Sequence, residues 1–244
     1  YFGSLPALAI PYDLMAQDVV SVRDNGSIGT LNANTAVVDS RSGDVKRMFF
    51  MRMDFSEYKD NLDYLNSIKL QLTTHGDAGN ANYQFSVYIF TPEQANYTVK
   101  PDGKTVMTFK QATDMGLTGD ESGERLVYTS PKGLQKDTTY TTDDLLPRIK
   151  DYFAQNPDET LIGFKTVSNN GAYSFKNMGL GVENALKPHL VVDQTAPQDL
   201  FKLADEEVRA SWPTAVSNDI QLPSSVESVP AVEITWESLT PESI

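Results

Sequence analysis

The sequence has no cysteine and only two histidines among its 244 residues. Without cysteine there are no disulfides, no thiolate nucleophiles and no cysteine-based zinc sites. Neither His75 nor His189 lies in a recognisable nucleophile frame, and HExxH, GxGxxG and P-loop motifs are missing. Paired carboxylates for glycoside hydrolysis stay open, because spacing alone predicts nothing about them. The chain therefore predicts no catalytic residue of its own, and whether it is an enzyme stays undecided.

Basic residues are also few, since 20 Lys and Arg stand against 33 Asp and Glu to give a formal net charge of −13. Binding to nucleic acid needs a concentrated basic surface, so the charge argues against a nucleic acid partner. An anionic ligand remains compatible, because a local basic cleft can exist on an acidic protein. No apolar run approaches the roughly 20 residues that cross a bilayer, which predicts no membrane insertion.

Alternating hydrophobic segments predict the fold. Residues 46–55 and 67–73 alternate with period two, and because strand side chains point to opposite faces, each segment predicts a half-buried strand. One short helix is predicted from residue 143 to 153, with Pro147 in its first turn. Further strands are predicted at 18–23, 35–40, 83–90, 160–167, 172–176 and 189–192, and the weakly patterned region 92–139 is predicted as long loops or an inserted hairpin. A sheet-rich chain without β–α alternation predicts an all-β, antiparallel, jelly-roll-like sandwich.

The composition changes near Asp193 and indicates three segments. Residues 1–16 are interpreted as the end of a preceding segment or a linker, and 17–193 as the sandwich module. Residues 194–244 are interpreted as a helix over 198–211 followed by a partial second β domain, because 219–223 and 232–238 alternate again. Leu200, Leu203, Ala204 and Val208 have helical spacing in this helix. We interpret the whole as a processed or excised part of a larger protein.

Polar side chains on the central strands suggest a binding face. The candidates for carbohydrate binding are Arg52, Lys69, Tyr88, Lys165 and Tyr173. Sugars need aromatic planes for their pyranose faces, together with donors for their hydroxyl and carboxylate groups. Arg52 is the strongest candidate, because a guanidinium can bind a uronate carboxylate with two parallel hydrogen bonds. The alternative is an ordinary solvated sheet face.

Aspartates in turns raise the question of a structural Ca²⁺ ion, since hard oxygen ligands for Ca²⁺ often lie in loops. These residues are Asp39, Asp44, Asp77, Asp114, Asp120 and Asp193. No EF-hand spacing is present among them, and solvated turn residues are the alternative explanation. No other cofactor is predicted.

Three short motifs carry a resemblance to a known family. Met53-Asp54-Phe55, Ile68-Lys69-Leu70 and Lys187-Pro188-His189-Leu190 stand where the strands of the DNRLRE-type β-sandwich have their characteristic residues. Over about residues 17–193 the chain resembles that family, which is similar in character to carbohydrate-binding modules of bacterial polysaccharide lyases and hydrolases. Residues 219–223 and 232–238 resemble the start of an atrophied bacterial immunoglobulin-like repeat.

The resemblance implies a function. It suggests a non-catalytic carbohydrate-binding or accessory module of a secreted, multidomain, glycan-active bacterial protein, located outside the cell or on its surface. Its partners would be a polysaccharide or other glycan and the neighbouring domains of the parent chain. One alternative is a structural spacer or adhesin-like stalk domain without glycan affinity. Another is an accessory domain that contributes to the active site of a neighbouring hydrolase or lyase domain.

Overall fold

The computed structural model describes residues 13–41, 43, 46–98, 107–119, 123–195, 197–211, 223–227, 229 and 234. The chain divides into two compact units, of which the larger spans Pro11–Asp193 and the smaller includes the residues from Gln194 onward. No helix in the described ranges is long and apolar enough to cross a membrane.

The larger unit is built from two antiparallel sheets. Its strands are β1 (Asp13–Met15), β2 (Asp18–Arg23), β3 (Thr30–Leu31), β4 (Thr35–Asp39), β5 (Arg47–Asp54), β6 (Leu65–Thr73), β7 (Gln84–Ile89), β8 (Leu126–Thr129), β9 (Thr139–Thr141), β10 (Leu161–Asn170), β11 (Ala172–Lys176) and β12 (His189–Gln194). The smaller sheet has the order β1-β12-β6-β9. In the larger sheet, β5 pairs with β10 and β2, β10 continues to β7 and β8, and β4 and β11 join through the pair Asp39–Arg47. The predicted all-β antiparallel sandwich with a little helix is confirmed.

The helices are short. They are α1 (Pro92–Ala95), α2 (Phe109–Asp114), α3 (Leu146–Gln155) and α4 (Pro197–Ser211), with 3₁₀ turns at Lys59–Tyr64 and Asn184–Leu186. The helix predicted from residue 143 is α3, and Pro147 lies in its first turn. It begins later than predicted because the Asp144 carboxylate accepts hydrogen bonds from the Leu146 and Ile68 amides, at 3.0 and 2.8 Å. The bond from Ile68 attaches the chain before the helix to β6.

The predicted alternation of β5 and β6 builds the core between the sheets. Phe49, Met51 and Met53 are fully buried on β5, as are Ile68 and Leu70 on β6. The two sheets meet here, since the Phe85 ring of β7 lies 5.8 Å from the Tyr140 ring of β9, centroid to centroid. Burial of these side chains supplies the main stabilisation of the sandwich.

The opposite face of the larger sheet is covered as well. Its strand residues form a second core with the segment that contains α1 and α2, and the members of this outer core are Val20, Val22, Met48, Phe50, Phe90, Ala95, Tyr97, Met107, Ala112, Leu117 and Val167. Thr91 and Thr108 each begin a helix with a capping box, completed by Gln94 and Gln111. The prediction of half-buried strands is thus wrong for β5, because both of its faces are covered. Within the region predicted as loops or a hairpin, α1 and α2 do the covering.

The smaller unit is described mainly by α4. Leu200, Ala204 and Val208 are buried on this helix, whereas Leu203 is 47% exposed. The Glu207 carboxylate accepts a hydrogen bond from the Glu227 amide at 2.9 Å, which attaches the later chain to the helix. Of the alternating segments predicted at 219–223 and 232–238, all residues except 223 and 234 lie outside the described residues.

Candidate functional site

Arg52, the strongest predicted ligand residue, is buried in the protein. Its Nη2 atom lies 2.5 Å from Oδ2 of Asp18, and Nη1 donates to the Tyr97 carbonyl at 2.6 Å. The guanidinium also lies 4.1 Å from the centroid of the Tyr97 ring. Burial lowers the pKa of Arg52, but the hydrogen bond to Asp18 and the neighbouring charges outweigh it, so this pKa lies above its usual value. The guanidinium of Arg52 is hydrogen-bonded within the chain, because the segment that contains α1 covers its face of the sheet.

Lys165 and Tyr88 face each other across β10 and β7. They form a directly opposed pair in the ladder, and the Lys165 ammonium lies 5.4 Å from the centroid of the Tyr88 ring. Lys165 is 1% exposed and donates from Nζ to the Gly119 carbonyl at 2.8 Å. The structure brings these two predicted residues together, but beneath the covering segment.

The remaining two predicted residues lie elsewhere. Tyr173 is buried on β11, where its hydroxyl donates to the Gln84 carbonyl at 2.6 Å and its ring stacks on Tyr83 at 4.8 Å. Burial raises the pKa of Tyr173. Lys69 is exposed on β6, which belongs to the smaller sheet. The five predicted residues therefore do not share one open face. The sequence could not show this, because the segment that contains α1 and α2 covers the larger sheet only in the folded chain.

One histidine does lie near a serine and an aspartate. Asp77 accepts hydrogen bonds from the Ser174 hydroxyl at 2.9 Å and from the Ser174 amide at 3.0 Å, while Nδ1 of His75 lies 3.8 Å from the same carboxylate. In a catalytic relay the serine must donate to the histidine, and the histidine to the aspartate. Here the serine donates directly to the aspartate, so the cluster lacks the order of a catalytic relay and attaches the loop after β6 to β11. His189 is buried, with Nδ1 2.7 Å from the Lys187 carbonyl.

The predicted turn aspartates are distributed over separate contacts. Asp39 pairs with Arg41, and Asp114 pairs with Lys110. Asp44 and Asp120 lie outside the described residues. In the described part of the chain, no group of three or more His, Asp or Glu side chains lies close enough together to hold a metal ion.

A basic cavity lies at one end of the larger sheet. It has a volume of about 260 Å³, and its described lining residues are Ser21, Val22, Arg23, Ile28, Gly29, Thr30, Ala33, Thr35, Val37 and Arg47. We call it the arginine cavity. Two of these residues are arginines and none is acidic, in a protein with a net charge of −13.

The two arginines are neighbours on adjacent strands. Arg23 of β2 stands directly opposite Arg47 of β5 in the antiparallel ladder, and Ser21 lies two positions earlier on the same face of β2. Directly opposed side chains have Cβ atoms about 4.5–5.5 Å apart, and like charges in this position are destabilising. Burial raises the pKa of Asp39, the closest acid in the ladder, but hydrogen bonds from Arg41 and the charges of Arg41 and Arg47 outweigh it, so the pKa lies below its usual value.

A second cavity, of about 410 Å³, shares Arg47 with the first. Its described lining residues are Asp24, Asp39, Ser40, Lys46, Arg47, Met48, Phe109, Thr113, Thr118, Val167 and Ser168. We call it the Phe109 cavity. Its hydroxyl groups are paired, since Thr113 and Thr118 lie 2.8 Å apart and Ser40 donates to Ser168 at 3.2 Å. One aromatic ring, two basic side chains and four hydroxyl groups thus line one concave surface.

A third cavity, of about 710 Å³, lies between the loop that precedes β7 and the loop that precedes β9. Asn80, Gln135, Lys136 and Thr138 are among its described lining residues, and no aromatic side chain is. It offers hydrogen-bonding groups without a flat apolar surface.

Neither the protein families nor the curated proteins that were compared contain a match to this chain. Apart from Asp39, which was considered as a Ca²⁺ ligand, the residues of the two cavities near Arg47 were not predicted from the sequence. Arg23 and Arg47 stand at the ends of two predicted strands, but only the register between β2 and β5 places them opposite each other. Phe109 follows Thr108 in a Thr-Phe-Lys-Gln capping box, which was the one available signal that a helix begins there.

Proposed function

We propose that this chain is a non-catalytic carbohydrate-binding module of a secreted, multidomain, glycan-active bacterial protein, and that the sugar binds in the Phe109 cavity. The observation that carries the proposal is the composition of this cavity, in which an aromatic ring, hydroxyl groups and both signs of charge line one concave surface. Pyranose rings have apolar faces that pack on aromatic rings, and their hydroxyls donate to and accept from such side chains.

The charges of the cavity suit a polyhydroxylated ligand. Lys46 is exposed and can donate to sugar oxygens, while the Asp24 carboxylate can accept from sugar hydroxyls. Its volume of about 410 Å³ falls within the range of about 300–1,000 Å³ that ligand pockets usually have. The DNRLRE-type β-sandwich, which residues 17–193 are expected to resemble, would imply the same function.

The non-catalytic part of the proposal rests on the arrangement of the polar clusters. The hydroxyl of Ser174 donates to Asp77 instead of to His75, so it does not form the serine–histidine pair of a catalytic relay. The Arg52–Asp18 pair is buried and fully engaged with protein groups, so it is unsuited to proton transfer with a substrate.

Affinity electrophoresis of the full chain through gels that contain neutral and acidic polysaccharides tests the proposal. Retardation is expected in at least one gel, and Phe109→Ala should weaken it by about ten- to a hundredfold, the equivalent of losing about 1.5–3 kcal/mol of aromatic burial. Because Phe109 also packs against the outer core, Thr113→Val serves as a second variant that leaves the ring in place.

Gln135→Ala, in the third cavity, is the matched control and should bind like the unchanged chain. Failure of the chain to bind any polysaccharide would reject the proposal and favour the spacer or stalk alternative. Binding that survives both Phe109→Ala and Thr113→Val, but not Gln135→Ala, would move the site to the third cavity.

A further inference from the structure

The arginine cavity contains two buried polar atoms that lack a partner. Oγ of Ser21 and Nε of Arg47 are inaccessible to solvent and have no hydrogen-bond partner among the described residues. Buried donors of this kind normally have a partner, because leaving one unpaired costs free energy. Both residues line the same cavity, so a single bound group could satisfy them together.

The surroundings decide which kind of group that would be. A guanidinium has only donors, so its partner must be an acceptor, and two neighbouring guanidinium groups favour an acceptor with negative charge. Asp39 is the acid closest to Arg47 in the ladder, but Arg41 already contacts both of its oxygens, at 3.0 and 2.8 Å. The described lining of the arginine cavity itself contains no carboxylate.

We propose that the arginine cavity binds an oxyanion, namely the carboxylate or sulfate group of an acidic ligand, between Arg23, Arg47 and Ser21. The oxyanion offsets the repulsion between the opposed arginines and accepts hydrogen bonds from Arg47 Nε and Ser21 Oγ. This site is separate from the sugar site proposed above, although Arg47 lines both cavities, and its existence does not depend on that proposal.

Two details of the wall of the arginine cavity indicate that the site is preformed. Gly29 lies where a Cβ atom would come within 2.4 Å of the Ser21 carbonyl oxygen and 2.9 Å of the Met107 carbonyl oxygen, so only glycine fits between these two backbone segments. Arg23 donates from Nε to Ser27 Oγ at 2.5 Å, which holds its side chain against the loop that borders the cavity. The guanidinium is therefore restrained before any ligand arrives, which lowers the entropy cost of binding.

The test follows the arginine Nε–Hε signals of the ¹⁵N-labelled full chain by NMR during titration with sodium sulfate, and in parallel with sodium chloride at equal ionic strength. A saturable shift of the Arg47 signal with sulfate, beyond that with chloride, is expected. Glucuronate and glucose titrations then separate a sugar carboxylate from the sugar ring, because only glucuronate should compete with sulfate.

Two variants assign the site without altering Arg47. Arg23→Gln and Ser21→Ala should each weaken sulfate binding, the first by about ten- to a hundredfold, because it removes a charged hydrogen-bond donor. Lys69→Gln removes one positive charge from an exposed position on the smaller sheet and should leave the affinity unchanged.

A shift that grows linearly and equally in both salts would overturn the proposal, as would saturable binding that Arg23→Gln leaves unchanged. If Ser21→Ala does not fold, Arg23→Gln decides alone, because Arg23 is exposed. Saturable sulfate binding in a chain that no polysaccharide retards would support the oxyanion site while rejecting the sugar site, so the two proposals fail separately.

Discussion

Arg52 and Asp18 stand directly opposite each other on β5 and β2, and they form an ion pair in which Arg52 Nε contacts both carboxylate oxygens at 3.1 Å. The Tyr97 hydroxyl donates to the same carboxylate at 3.0 Å, and the Ala95 and Tyr97 carbonyls accept from Arg52. This cluster connects the larger sheet to the chain just after α1. It is polar, yet it lies beside the apolar outer core.

Replacing Arg52 with methionine should lower the free energy of unfolding by about 3–5 kcal/mol, because the Asp18 carboxylate would remain buried without its cation. Urea denaturation followed by circular dichroism measures the change. The double variant Arg52→Met with Asp18→Leu should recover much of the loss, since no charge is then left unpaired. A single variant within about 0.5 kcal/mol of the parent chain would contradict the structure, and exposed Lys69→Met is the control.

Because of the buried hydroxyl of Tyr58, we expect the protein to lose stability at alkaline pH. Its side chain is 1% exposed, and burial, followed by the charges of Glu57 and Asp13, raises the pKa of its hydroxyl from 10.0 to about 12. The unfolded chain then releases this proton first, so the stabilisation is complete below pH 10 and is lost as the pH rises to about 12. Two pKa units correspond to about 3 kcal/mol.

The measurement is urea denaturation at a series of pH values from 9 to 12. Tyr58→Phe has no hydroxyl to titrate, so its stability should fall less steeply over this range than that of the parent chain. Burial also raises the pKa values of Tyr97, Tyr128, Tyr152 and Tyr173, which leaves a residual decline in the variant. Identical slopes for the two chains would contradict the predicted role of Tyr58.

The opposed arginines, Arg23 and Arg47, should make the effect of Arg23→Gln on the free energy of unfolding depend on the salt concentration. In a buffer without oxyanions, Arg23→Gln should raise the free energy of unfolding by about 0.2–1 kcal/mol, because it removes a like-charge pair from the β2–β5 ladder. The gain should shrink as sodium chloride is added, since salt screens exposed charges. Arg23→Lys keeps the charge and is the control, which should show no gain. A loss of stability for Arg23→Gln at low salt would mean that the repulsion is already offset within the chain.

Two leucines of α4 provide a variant and its matched control for testing the packing of the smaller unit. Leu200 is 3% exposed and Leu203 is 47% exposed, although both are predicted by the same helical spacing. Leu200→Ala should cost about 2–5 kcal/mol, whereas Leu203→Ala should cost less than about 1 kcal/mol. Hydrogen exchange of the α4 amides reports the local stability and measures both variants. Equal effects would mean that the helix does not bury the face on which Leu200 lies.

Much of the sandwich could be predicted from the sequence, because hydrophobic alternation depends only on the local period of a strand. Phe49, Met51 and Met53 were placed correctly on the inner face for this reason. The predicted start of α3 is too early, because the Thr142 hydroxyl accepts from the Leu70 amide and donates to the Asp143 carbonyl, and the Asp144 carboxylate accepts from the Ile68 amide, so these residues are held against β6 before the helix begins. The helical spacing of α4 also placed Leu203 on the buried face, but this residue is 47% exposed.

The candidate site could not be predicted in the same way. Arg52 and Lys165 alternate with core residues as ligand residues on an open face would, and only the position of the segment with α1 and α2 shows that they are covered. The arginine cavity depends on the register between β2 and β5 and on the closeness of Gly29 to Ser21. Register and approach of distant segments are tertiary properties, which the pattern of a single strand does not contain.

The pairing of β5 with β10 has a consequence for how quickly the chain folds. Met48 lies opposite Val167 and Asp54 opposite Leu161, so the central ladder joins segments that are far apart along the chain. The chain must close this long loop before the ladder is stabilised, which makes the search slow. Refolding of the larger unit should therefore take milliseconds to seconds, in the range of β-sandwiches, and not the microseconds of helical bundles. During that interval the apolar strands on either side of β5 are exposed, so newly made chains are most vulnerable to aggregation before β10 has been synthesised.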